Sequence, residues 1–149
     1  MKKIGQSNTM LQVENVIGTP SAQKVIVLLV VWPSLTIKEL TEKTKLSKSQ
    51  IHATIKNLQE IELVTMRARG QYTLATNKFA NLLKEAYQEK ILEVINKQIY
   101  DIKQTLKKDD IEQATEIYKE LEDNYEPLLN ESFPFILSSL SQRFIDAYK

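Results

Sequence analysis

Lys48, Ser49, Gln50, His52, Ala53, Lys56 and Asn57 fall on one side of a helical wheel, and Arg67 and Arg69 follow soon after. The set combines amides, cations and small side chains, with no carboxylate among them. An amide carries both a donor and an acceptor, so Gln and Asn can pair two-fold with an adenine edge in a DNA major groove. Lys reaches guanine or phosphate there, and small residues let a helix approach closely. Catalysis has far less to work with. His52 is the only histidine, and on this face it reads as a contact or a solvated side chain. Glu116 and Glu120 are at helical spacing but read first as surface acids. With no cysteine, no phosphate-binding glycine loop and no nucleophile elbow, neither enzymatic activity, a cofactor nor a metal site is expected.

These residues need elements to position them. Thr36 can cap a helix, with Glu39 completing a capping box and Ile37 and Leu40 supplying the apolar face, and that helix should end near Thr44. Lys45-Leu46-Ser47 then makes a turn with Leu46 pointing inward, and Ser47 caps a second helix to about Gln59. Ile51, Ile55 and Leu58, at i, i+4 and i+7, form its buried stripe beside the small Thr54. Leu63–Arg67 and Gln71–Ala75 alternate as two short strands, with Gly70 permitting the reversal and Arg67 and Arg69 near the tip. Arginines there can grip phosphate or enter a minor groove.

From about Thr19 to Thr76 the chain resembles the winged-helix domains of the ArsR and MarR superfamily of prokaryotic transcriptional regulators. LTIKELTEKTKLSKSQIHATIKNLQEIELV is similar to their helix-turn-helix, and ARGQYTLA resembles their short wing more than the long wing typical of MarR proteins. TPSAQKVIVLLVVW looks like the helix that backs the motif in the ArsR group. The resemblance implies a homodimer whose two recognition helices lie about one DNA turn apart. It departs from the metal-sensing ArsR-like proteins, since there is no cysteine and no second histidine.

Composition agrees with a globular chain: 42% hydrophobic and 26% charged residues, with only three glycines and four prolines, favour a mostly helical protein. The net charge of +1 conceals a division. Residues 1–80 have eleven Lys or Arg against five Asp or Glu, and residues 81–149 have nine against fourteen, giving +6 and −5. The half containing the motif is the basic one, as contact with a polyanion requires. Met10, Leu11, Val13, Val16 and Ile17 could form a short helix closed by Gly18, and no secretory signal is read at this end. VIVLLVVW is too short to span a bilayer, and Thr19-Pro20 favours its reading as a buried helix over a strand. Trp32 reads as a core or subunit-contact residue.

Thr76 can cap a long helix from Asn77 to about Lys107, in which Leu92, Ile95, Ile99, Ile102 and Leu106 make a heptad seam. At ~1.5 Å per residue it reaches ~45 Å, so a partner helix should cover part of it. Lys107-Lys108 and Asp109-Asp110 suit a reversal. Ile111, Ala114, Ile117, Tyr118 and Leu121 face inward from the returning helix, which Pro127 interrupts. A last helix runs from about Pro134 to Tyr148. Tyr118, Tyr125, Phe133, Phe135 and Phe144 either fill the core of a helical bundle or line a pocket for a small-molecule effector.

The expected fold is mainly α with a small β-wing (α+β): an N-terminal segment over 1–18, a winged helix-turn-helix over 19–76 and a helical dimerisation extension over 77–149. The expected function is cytoplasmic, sequence-specific transcription regulation by a homodimeric repressor on double-stranded DNA with a near-palindromic operator. Membrane association is not expected. Ser49, Gln50, Ala53 and Asn57 would lie nearest the bases, and Lys48, Lys56, Arg67 and Arg69 chiefly on phosphates. The alternative is a winged-helix scaffold for protein partners in a transcription or chromosome-organising assembly, which would not need a carboxylate-free face beside two arginines.

Overall fold

Thr19 starts the first long helix by accepting a hydrogen bond from the Ala22 amide at 3.2 Å, with Pro20 in the first position, where its missing N–H costs nothing. In the computed structural model, which describes Val13 and residues 15–132, this helix is α1 (Pro20–Val31). The β-branched run is helical because Ala22, Val25, Ile26, Leu29 and Val30 come round to one buried side. Burying each large aliphatic side chain contributes roughly 1.5–3 kcal/mol, which outweighs the few tenths that branching at Cβ costs a helix. Val13 and residues 15–17 are also helical and Gly18 is not. Met10 and Leu11, and the last helix expected over 134–148, lie outside the described residues.

Then follow β1 (Leu35–Thr36), α2 (Ile37–Thr44), α3 (Lys48–Glu60), β2 (Val64–Ala68), β3 (Gln71–Leu74), α4 (Lys78–Lys107) and α5 (Ile111–Ser132). The described chain is thus mostly helical, with one small antiparallel sheet in the order β1-β3-β2. β1 was not expected; two residues are too few to show an alternation. It forms because Leu35 pairs with Tyr72 and Thr36 with Gln71, while the Thr73 hydroxyl donates to the Pro33 carbonyl at 2.8 Å.

The chain divides into two compact units, Met1–Tyr87 and Gln88–Lys149. In the first, α1 and α2 pack on α3, and Ile26, Leu35, Leu40, Ile51, Leu58 and Leu63 are fully buried. Asn77, and not Thr76, caps α4: its side-chain oxygen accepts from the Ala80 amide at 2.8 Å. Either residue type can cap; Asn77 wins because its amide also donates to the Glu62 carbonyl at 2.7 Å.

In the second unit the buried stripe of α4 is Ile91, Ile95, Ile99 and Ile102, whereas Leu92 and Leu106 of the expected seam are half-buried. Val94 and Tyr100 are exposed. The helix closes at Lys107, Asp109 takes a left-handed φ of 58°, and the Asp110 side chain caps α5 by accepting from the Gln113 amide at 3.2 Å. Ala114, Leu121, Leu128 and Leu129 are buried along α5. Pro127 bends this helix instead of ending it. Its ring crowds the carbonyl four residues back and it has no N–H to donate, so Tyr125 leaves helical geometry at φ −136° before the helix resumes to Ser132. Tyr118 and Tyr125 are half-buried; Phe133, Phe135 and Phe144 of the expected aromatic group lie outside the described residues. No helix among the described residues is long and apolar enough to cross a membrane.

Candidate nucleic-acid interface

The exposed face of α3 depends first on how α2 ends. Thr44 is buried, and its hydroxyl donates to the Leu40 carbonyl at 2.7 Å and accepts from the Leu46 amide at 3.1 Å. Lys45 takes the left-handed conformation, φ 66°, and its amide donates to the Thr41 carbonyl. Three bonds around three residues define the turn. Leu46 is half-buried within it, less deeply than its expected inward position.

Two reciprocal caps then fix both helix starts. In α2 the Thr36 hydroxyl accepts from the Glu39 amide at 3.1 Å, and the Glu39 carboxylate accepts from the Thr36 amide at 2.9 Å. In α3 the Ser47 hydroxyl accepts from the Gln50 amide at 3.1 Å, and the Gln50 side-chain oxygen accepts from the Ser47 amide at 3.0 Å. Gln50 is therefore partly committed. Its carbonyl oxygen serves the helix, leaving the NH₂ to donate outward.

Ile51, Thr54, Ile55 and Leu58 are buried along α3. Lys48, Ser49, Gln50, His52, Ala53, Lys56 and Asn57 are all exposed. The helix thus presents the expected seven residues together on one solvent-facing side.

The hairpin is joined directly to α3. The Leu63 amide donates to the Leu58 carbonyl at 3.0 Å, and the Ala75 amide to the Leu63 carbonyl at 2.8 Å. Val64 pairs with Leu74, Thr65 with Thr73 and Met66 with Tyr72, but Ala68 next pairs with Gln71, so Arg67 occupies a β-bulge. A bulge twists the strand locally and re-aims its side chains, which alternation in sequence does not reveal. Arg69 precedes Gly70, whose φ of +74° makes the reversal. Both arginines are exposed. Among the described residues the ion pair found is Lys90–Glu93, so none of Lys48, Lys56, Arg67 or Arg69 is in direct contact with a carboxylate, Glu60 standing one turn beyond Lys56.

Other exposed groups here were not singled out from sequence. Lys43 and Lys45 flank the turn, and Met66 is 50% exposed beside half-buried Tyr72. The lysines were legible as charges but not as fixed ones. No group of three or more His, Asp or Glu arranged to hold a metal ion occurs among the described residues. No protein-family model matches this chain, and no curated protein matches it.

Proposed function

We propose that this chain is a sequence-specific DNA-binding transcriptional regulator built on a winged helix-turn-helix, with α2 and α3 as the helix pair and the β2–β3 hairpin as the wing. The observation that carries this reading is the exposed set of amides, cations and small side chains from Lys48 to Asn57 on α3, whose one acid, Glu60, comes in the last turn, held next to a bulged hairpin bearing Arg67 and Arg69. α3 enters the major groove, with Ser49, Gln50, Ala53 and Asn57 toward the base edges. Lys48, Lys56, Arg67 and Arg69 hold phosphates, and His52 is exposed on the same face of α3. The role is binding, without a chemical step. Two copies place two such helices on a near-palindromic operator, and occlusion of polymerase makes the protein a cytoplasmic repressor.

Fluorescence anisotropy on the DNA upstream of its own gene and on a scrambled fragment tests this reading. The expected result is at least ~10³-fold tighter binding to the first, falling steeply with salt. Light scattering of the same sample should give twice the chain mass. Absence of salt-sensitive binding to either fragment would overturn the DNA reading and favour a scaffold for protein partners.

A further inference from the structure

Trp32 is the C-cap residue of α1 and is only half-buried, and the Lys43 ammonium, from the last turn of α2, stands 4.1 Å from its ring centroid. That is well inside the range of a cation–π contact, which for tryptophan is the strongest of its kind. A free lysine side chain samples many rotamers, and ordering it on binding is unfavourable. Here the ring holds one arrangement in advance. The ring also sits at the C-terminal end of α1, which has no basic residue of its own in its last turn.

Two residues on, Lys45 lies in the left-handed region at φ 66°, a position where glycine or asparagine is cheaper. Lys48 opens α3 three residues later. All three lysines are exposed, and no carboxylate pairs with any of them among the described residues. Helix α3 therefore begins at a turn flanked by three uncompensated cations, one pinned by a ring and one by the backbone.

We infer that Lys43, positioned by Trp32, and Lys45 are DNA-phosphate contacts, which extends the interface from α3 and the hairpin to the α2–α3 turn. The inference rests on the DNA-binding reading above and specifies which residues hold the backbone. Lys43 touches the phosphate; Trp32 is a positioning residue. Phosphate contacts are blind to sequence, so a mixed-sequence duplex of about 30 base pairs is a sufficient probe.

The experiment is anisotropy of the full chain on that duplex from about 50 to about 200 mM salt, reading the slope of log affinity against log salt. Each lost phosphate contact should flatten that slope by about 0.9. Lys43→Ala and Lys45→Gly should each do so, and Lys24→Ala, an exposed lysine of α1, should not. Trp32→Leu should flatten the slope although every lysine remains, while Trp32→Phe, which keeps a ring, should retain more of it. Circular dichroism of each variant separates this from unfolding, and Lys43→Ala leaves the ring's packing in place. Wild-type binding that is steep in salt, with unchanged slopes in Lys43→Ala and Lys45→Gly, would overturn this inference and leave the DNA reading standing. Wild-type binding without salt dependence would overturn both.

Discussion

Asn77 reaches back fifteen residues to Glu62: its side-chain amide donates to the Glu62 carbonyl at 2.7 Å, while its oxygen caps α4 at 2.8 Å from the Ala80 amide. Glu62 needs that support, because it sits at a left-handed φ of 59° between α3 and the hairpin. One side chain thus ties the end of α3 to the start of α4. Asn77→Ala removes the cap and the carbonyl's partner together and should cost about 1–2 kcal/mol in urea unfolding. Asn77→Asp retains a capping oxygen but no donor, so it should fall between the two.

That double role marks a limit of reading from sequence. Thr76 and Asn77 are both good caps, and the choice is made by a contact fifteen residues away. The starts of α1, α2 and α3 were legible because their partners are local: Thr19 with Ala22, Thr36 with Glu39 and Ser47 with Gln50. The seven exposed residues of α3 were legible for the same reason, since Ile51, Ile55 and Leu58 fix which side is buried. β1, the bulge at Arg67 and the Lys43–Trp32 contact were not, because each depends on chain brought together from a distance or on a register irregularity. Leu92 fits a heptad as well as Ile91 fits a 3.6-residue stripe, and only packing makes Ile91 the buried one.

Gly70 allows a clean test of the hairpin. A methyl group there would meet nothing within 4 Å, so crowding is not at issue and only the φ of +74° penalises a side chain. Gly70→Ala should cost about 1 kcal/mol, and Gly70→Asn, which tolerates this region better, less. Thermal unfolding measures both. The same substitutions should weaken DNA binding in proportion to lost hairpin order, with Arg67 and Arg69 still present.

Alkali should act on the kinked helix. Burial raises the Tyr125 hydroxyl above its ordinary value of 10, and the nearby Glu120 charge adds to the rise. The folded state therefore holds this proton more tightly than the unfolded one. Its contribution to stability is fully present below pH 10 and is lost as pH climbs through the raised value. Tyr125→Phe removes the titrating group, so its stability in urea should fall less between about pH 9 and pH 11 than that of the wild type. Equal losses would show that Tyr125 ionisation is not coupled to folding.

Gln50 offers a test that separates helix stability from the proposed DNA recognition. Its carbonyl oxygen accepts from the Ser47 amide, an interaction that a glutamate oxygen makes as well or better, and a carboxylate in the first turn also suits the helix dipole. Gln50→Glu should therefore leave the unfolding midpoint unchanged or slightly raised. On DNA the same change replaces the outward NH₂ donor with a negative oxygen, in the first turn of a face whose other carboxylate, Glu60, lies at the far end of the helix. Repulsion from phosphate and the loss of a donor to a base edge should together lower affinity by at least about tenfold, a single lost base contact alone costing ~1–3 kcal/mol. Gln50→Ala makes the opposite comparison: it lowers stability by removing the cap, and weakens DNA binding without adding charge. If Gln50→Glu bound DNA as tightly as the wild type, the first turn of α3 would not face the groove.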